Sequence, residues 1–111
     1  MAAVEEYRKR VQKLLEEYRG PSSPTNDVEA QLIADTQNDH YQLVNVGWEN
    51  GHRVYGCVIH IDIKGDKVWV QQNLTDQKIA EDLVALGIPK EQIVLGFQPP
   101  YMRKYTEFAL N

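Results

Sequence analysis

The stretch DHYQLVNVGWENGHRVYGCVIHIDIKGDKVWVQQ, residues 39–72, decides the fold of this chain. Two dipeptides in it are typical of tight hairpin turns. Asn50-Gly51 suits a type I′ turn, and Gly65-Asp66 suits a type II′ turn with glycine at the first central position. The stretch therefore predicts three consecutive antiparallel strands joined by two hairpins.

The two turns also predict which residues lie opposite one another and share a face of the sheet. Trp48 should face Arg53, and Gln42 should face Ile59. The predicted core face consists of Val44, Val46, Tyr55, Cys57, Ile59, Ile61, Ile63, Val68 and Val70. The predicted opposite face mixes apolar and polar residues: Tyr41, Leu43, Asn45, Gly47, Val54, Gly56, Val58, His60, Asp62, Trp69 and Gln71.

The segment before this stretch predicts a helix and one more strand. Apolar residues recur at helical spacing from Val4 to Tyr18, which indicates an amphipathic helix ending at Gly20. Residues 20–27, GPSSPTND, read as a turn-rich connector. Val28 to Asp35 alternates weakly and is interpreted as the first strand.

The segment after the hairpins predicts a second helix, with Asp76 as its N-cap and Gly87 as its end. Residues 89–92 suggest a single helical turn, and residues 93–95 a short strand or a buried strap. Tyr101 to Leu110 is expected to form an aromatic tail over this domain or over a neighbour. The whole pattern predicts one α+β domain, residues 1–111, with an antiparallel sheet of three to five strands. An N-terminal helix and a second helix are predicted to pack on one face of this sheet.

Composition and net charge limit the classes of protein to which this chain can belong. Apolar residues make up 42% and charged residues 25%, ordinary values for a folded chain. The net charge of −4 argues against independent nucleic-acid binding, which usually needs a basic stripe. One cysteine, a charged N-terminus and no apolar run of membrane length predict a cytoplasmic protein without a membrane partner.

His60 and Asp62 are two residues apart on one strand and could bind a metal or orient a base. A metal site needs three or four convergent ligands, and His40 and His52 are predicted on other faces or at a turn. Cys57 is predicted on the core face, where a thiol is usually inert. We therefore expect no catalytic residue, no cofactor and no metal site, and favour a hydrogen-bonded interface role for His60.

The mixed face is the stronger functional indication. Gly56 opposite Asn45 leaves a flat spot beside aromatic and apolar side chains, which is a composition typical of interfaces. The predicted partner interface comprises Tyr41, Leu43, Asn45, Gly56, Val58, His60, Trp69, Tyr101 and Tyr105. The alternative is that another part of the same chain covers this face. Arg103 and Lys104, interleaved with tyrosines, are weak candidates for nucleic-acid contact.

The order of these segments is similar to that of a known family. DHYQLVNVGWENGHRVYGCVIHIDIKGDKVWVQ, then IAEDLVALGIPKEQIVLGF, then QPPYMRKYTEFA resembles the XisI family, the fdxN element excision controlling factors of cyanobacteria. LLEEYR at the end of the first helix fits as well, so the resemblance covers nearly the whole chain.

The resemblance implies a small α+β fold and no catalytic residues. It implies an accessory factor that acts with an XisH-like partner in programmed excision of a DNA element during heterocyst differentiation. We expect a non-enzymatic protein that also forms a homo-oligomer. The alternatives are weak direct DNA binding, or an uncharacterised enzyme or metal site around His60.

Overall fold

The computed structural model describes residues 2–20 and 27–111. Within these residues the helices are α1 (Ala2–Arg19), α2 (Ile79–Ala85) and α3 (Pro100–Arg103). The strands are β1 (Val28–Asp35), β2 (His40–Glu49), β3 (His52–Lys64), β4 (Lys67–Asn73) and β5 (Ile93–Leu95). Lys90–Gln92 form a single 3₁₀ turn before β5, as predicted.

The five strands form one sheet in the order β1-β2-β3-β4-β5. Neighbouring strands are antiparallel except β4 and β5, which are parallel. The α+β prediction is confirmed, and β1 has the bounds expected from the sequence. None of the helices described is both long enough and apolar enough to cross a membrane.

The hydrophobic core lies between the helices and one face of the sheet. The apolar stripe of α1 is buried as predicted, at Val4, Tyr7, Val11, Leu14 and Leu15. We call the sheet face in this core the inner face and the opposite one the outer face. The inner-face core residues are Tyr41, Leu43, Ile59, Ile61, Ile63, Val68 and Val70. Burial of a large apolar side chain contributes about 1.5–3 kcal/mol, so this layer is the main source of stability.

Both hairpin turns form as predicted. Asn50 has φ 51° and Gly51 has φ 79°, the left-handed values that a type I′ turn needs at both central positions. Gly65 has φ 62° at the first central position of the second turn. The pairs next to the turns, Trp48 with Arg53 and Ile63 with Val68, also match the prediction.

Farther from the first turn the predicted register is wrong. Val44 pairs with Cys57 as expected, but the next pair is Leu43 with Ile59, because Val58 is an extra residue in β3. Gln42 therefore pairs with His60, and not with Ile59. A second irregularity in β4 leaves Gln71 without a direct partner in β3. Each extra residue is a β-bulge, which puts two residues of one strand opposite one of the other.

The bulge at Val58 overturns the predicted faces for the whole of β2 and for the hairpin side of β3. Because side chains alternate along a strand, an extra residue moves every following side chain to the other face. Tyr41 and Leu43 were predicted on the mixed face, yet both lie in the core, 0% and 4% exposed. Conversely, Val44, Val46, Tyr55 and Cys57 were predicted on the core face and lie on the outer face. Tyr55 is 73% exposed there, whereas Val44 is still buried, 7% exposed.

Two predictions beyond the hairpins change as well. Asp76 is not the N-cap of α2, which begins at Ile79 after Lys78. The preceding loop is instead organised by Asn73, whose side chain accepts hydrogen bonds from Thr75 and donates one to the Gln77 carbonyl. The predicted tail contains α3 and then returns to the sheet, where Ala109 forms a bridge with Val94. Most of the predicted connector, residues 21–26, lies outside the described residues.

Asp39 joins α1 to the start of β2. It adopts a left-handed conformation, φ 59°, in the turn that follows β1. Its carboxylate accepts hydrogen bonds from the Arg8 guanidinium at 2.7 and 3.1 Å and from the Tyr41 hydroxyl at 2.9 Å. The bonds from Arg8, and then that from Tyr41, outweigh the effect of burial and hold the pKa of Asp39 below its usual range.

We expect Asp39→Asn to destabilise the fold by about 1–3 kcal/mol at neutral pH, since it weakens charge-assisted hydrogen bonds. Asparagine tolerates the left-handed backbone, so the change isolates the carboxylate. Because the folded pKa is lowered, this stability is present above about pH 4 and is lost as the pH falls through the folded value. Urea unfolding at neutral pH and near pH 2 measures it.

The control is Asp66→Asn in the exposed second turn, which should change the free energy of unfolding by less than about 0.5 kcal/mol. A difference between wild type and Asp39→Asn that is the same at both pH values would contradict the assigned role of the charge.

Candidate functional site

Three side chains capable of acid–base or metal chemistry meet on the outer face. His40 begins β2 and pairs with Asp62 of β3, while His60 lies two residues before Asp62. Asp62 Oδ1 accepts hydrogen bonds from His40 Nδ1 at 2.8 Å and from His60 Nε2 at 2.7 Å. Asp62 is 6% exposed, and it is the buried charged residue of the part of the chain that the structure describes.

The cluster extends to two glutamines. The Gln71 amide donates to Asp62 Oδ2 at 3.1 Å, so both oxygens of the buried carboxylate are engaged. The Gln42 amide lies 3.4 Å from His60 Nδ1, the ring nitrogen that faces away from Asp62. Gln71 is the bulged residue of β4, and Gln42 reaches His60 only because of the bulge in β3.

The electrostatics of the cluster follow from these bonds. Burial disfavours the charged form of Asp62, but hydrogen bonds from His40 and His60 outweigh it and keep the pKa of Asp62 below its usual range. The hydrogen bond to Asp62 raises the pKa of His40 above its ordinary value. The cluster therefore holds an ionised carboxylate at a site from which water is largely excluded.

The sequence argument against a site here was that His40 falls on another face. That premise is wrong, because the bulge at Val58 brings His40 opposite Asp62. His52 lies beside the first turn, paired with Glu49, as the sequence predicted. Among the described residues, His40, His60 and Asp62 form the group whose ligand-capable atoms lie within 4.8 Å of one another.

Trp69 of β4 pairs with Asp62 on the outer face, beside the cluster, and the C-terminal segment lies over it. The Arg103 guanidinium lies 5.2 Å from the Trp69 ring centre, and Lys64 Nζ lies 4.9 Å from it. Arg103 also donates hydrogen bonds to the carbonyls of Gln98 and Leu110, at 3.1 and 3.3 Å. Trp69 therefore contacts its own chain, which is the alternative to a partner contact.

A separate apolar patch lies at the hairpin end of the outer face. It consists of Trp48 and Tyr55, which are 55% and 73% exposed, together with Val46. Arg53 stacks on Trp48, with its guanidinium carbon 5.4 Å from the ring centre. We call these residues the outer-face patch. Sequence reasoning missed it because the unbulged register placed Tyr55 and Val46 in the core.

The other predicted interface residues are scattered. Val58 is partly buried against the core, and Asn45 pairs with Gly56 on the inner-face side of the hairpin. A Cβ at Gly56 would have nothing within 4 Å, so the expected flat spot exists there. Tyr101 and Tyr105 are 71% and 74% exposed, as an interface role requires.

Cys57 lies on the outer face but is half-buried. Burial raises the pKa of its thiol, and Sγ donates to the Ile59 carbonyl at 3.1 Å. Burial is the larger effect on this pKa and favours the thiol over the reactive thiolate. This geometry gives Cys57 a packing role beside the bulge.

The candidate nucleic-acid residues differ in their surroundings. Arg103 is engaged by Trp69 and two carbonyls, whereas Lys104 is exposed and its Nζ lies 5.3 Å from the Tyr105 ring centre. Three of the basic residues of α1 are also paired, Arg8 with Asp39 and both Lys9 and Arg10 with Glu6. Arg103 is thus placed to hold the C-terminal segment on the sheet.

We expect Arg103→Ala to destabilise the fold by about 1–2 kcal/mol, because it removes a cation–π contact and two charge-assisted hydrogen bonds. Tryptophan fluorescence in a Trp48→Phe background, which reports the surroundings of Trp69, should shift with it. Lys104→Ala is the matched control and should stay within about 0.5 kcal/mol of wild type. Equal stability of the two variants would contradict the conclusion that Arg103 holds the C-terminal segment on the sheet.

The chain was then compared with known proteins. The family model described as XisI protein matches residues 1–110. A XisI-like protein from Anabaena variabilis ATCC 29413 is 51% identical, with a TM-score of 0.88, over 98% of this chain and 99% of the other. The fdxN element excision controlling factor XisI from the same organism is 32% identical, with a TM-score of 0.84, over the same shares. A comparison with curated proteins gave no match. By the match over residues 1–110, the chain belongs to the XisI family.

Proposed function

We propose that this chain is a non-enzymatic accessory factor in the control of DNA-element excision, and that it binds an XisH-like protein through the outer-face patch. The observation that carries the binding surface is the exposure of Trp48 and Tyr55 next to each other on one sheet face. The link to excision rests on likeness to a protein named fdxN element excision controlling factor XisI, which is 32% identical over 98% of this chain.

The outer-face patch has the composition of a binding hot spot. Interfaces concentrate their energy in a few aromatic and arginine residues, and Trp48 with its stacked Arg53 is such a pair. Tyr55 supplies a second large ring on the neighbouring strand. β1 is an edge strand of the sheet, hydrogen-bonded to β2 along one side. A partner could therefore extend the sheet at β1 as well as cover the patch.

The charge of the chain supports an accessory role over independent DNA binding. The net charge is −4, and the cation of Arg103 is used within the fold. A basic partner would complement this surface and could itself contact DNA. We further propose that the protein acts in the cytoplasm and self-associates through the exposed rings of Tyr101 and Tyr105.

The test is binding between this chain and the XisH-like protein of the same genome, purified separately and measured by calorimetry. Trp48→Ser and Tyr55→Ser should each weaken binding by roughly tenfold or more, as loss of a hot-spot residue does. Phe97→Ser is the matched control, because Phe97 is also an exposed ring, 48% exposed, but lines a cleft beside α2. Thermal unfolding of each variant verifies that the fold is intact.

Three results would overturn the proposal. They are absence of complex formation with the wild-type chain, equal weakening by Phe97→Ser, and a salt-sensitive mobility shift of DNA by this chain alone. Light scattering of the free chain tests self-association separately. A strict monomer at micromolar concentration would remove that part of the proposal.

A further inference from the structure

The His40, His60 and Asp62 cluster has the composition of a metal site. It offers two imidazole nitrogens and one carboxylate oxygen, all within 4.8 Å of one another. Imidazole with carboxylate suits zinc and neighbouring divalent transition metals better than it suits Mg²⁺ or Ca²⁺, which prefer oxygen alone. Three protein ligands with one open position are typical of zinc sites that retain a water molecule.

The buried carboxylate also favours a cation. Asp62 is 6% exposed, and both of its carboxylate oxygens accept hydrogen bonds, so the carboxylate lies in a largely dehydrated place. Two imidazole N–H groups now point at the same oxygen, Asp62 Oδ1. A metal ion at their meeting point would be bound by both nitrogens and this oxygen. The proton of each neutral ring would then reside on the nitrogen that faces away from the metal.

The surrounding residues match the outer layer that metal sites need. Metal-binding histidines usually donate their second N–H to an oxygen, and metal-binding carboxylates are themselves hydrogen-bonded. Gln42 lies 3.4 Å from His60 Nδ1 and could accept that N–H through its amide oxygen after rotation. Gln71 already donates to Asp62 Oδ2 at 3.1 Å.

Access and room are adequate. The His40 side chain is 54% exposed, whereas those of His60 and Asp62 are 30% and 9% exposed, so the site opens on the His40 side. The donor atoms are 2.7 and 2.8 Å from Asp62 Oδ1, and tetrahedral zinc with bonds near 2.0 Å separates its ligands by about 3.3 Å. Binding therefore needs each imidazole nitrogen to move roughly half an ångström away from Asp62 Oδ1, by rotation of the His40 and His60 side chains.

We propose that His40, His60 and Asp62 form a binding site for one divalent transition-metal ion of the zinc class, with water completing its coordination. The site is separate from the outer-face patch and does not depend on the proposed partner. It assigns the cluster a ligand where the sequence alone predicted none.

The experiment uses the full chain purified without a histidine tag and treated with chelator. Titration with Zn²⁺ by calorimetry should give about one ion per chain with micromolar or tighter affinity, and Co²⁺ should give the visible absorption of a tetrahedral site. Asp62→Asn and His40→Gln should each weaken binding by roughly tenfold or more. His52→Gln, which changes the histidine outside the cluster, should leave it unchanged.

His40→Gln keeps the test valid if Asp62→Asn fails to fold, because His40 is exposed and packs little. Zn²⁺ should also raise the unfolding temperature of wild type and of His52→Gln, but not that of His40→Gln. Absence of stoichiometric binding would overturn the proposal and leave a hydrogen-bonded cluster only. Equal loss of affinity with His52→Gln would overturn it as well, by showing nonspecific surface chelation.

Discussion

The fold depends on how β3 pairs with β2 across the bulge at Val58. On the hairpin side of that residue, Val44 and Cys57 face outward. On the other side, Leu43 pairs with Ile59 and Tyr41 with Ile61, and these four side chains face the helices. One extra residue thus reverses, at Val58, which alternate side chains of β3 face the helices. The core beneath α1 and the polar cluster on the outer face both follow from it.

The two faces make different contributions to the protein. The inner face supplies apolar burial, with the stripe of α1 and the buried residues of α2 closing over it. The outer face carries groups that a core could not hold: the buried carboxylate of Asp62 with its three hydrogen-bonding neighbours at one place, and the exposed aromatic patch at another. The C-terminal segment returns over Trp69 and pairs with β5, which shields that edge of the sheet.

The features that the sequence predicted well are those with local chemical signals. Asn50-Gly51 and Gly65-Asp66 specify their turns, and the helical spacing from Val4 to Tyr18 specifies the buried side of α1. Val58 and Gln71 give no such signal, since valine and glutamine are ordinary strand residues. The energy of the inner layer selects the bulge at Val58, because without it Tyr41 and Leu43 would lose their burial. The same shift explains why His40 was not predicted beside Asp62.

The most direct test of this account is the side-chain contact of Tyr41 in solution, measured by nuclear Overhauser effects in a labelled chain. The bulged register predicts contacts from the Tyr41 ring to Ile61 and to residues of α1, and from the His40 ring to the His60 ring, whose centres are 6.4 Å apart. The regular register would instead place Tyr41 directly opposite His60. Contacts between the Tyr41 and His60 rings, with none to Ile61, would contradict the bulge at Val58 and the two faces derived from it.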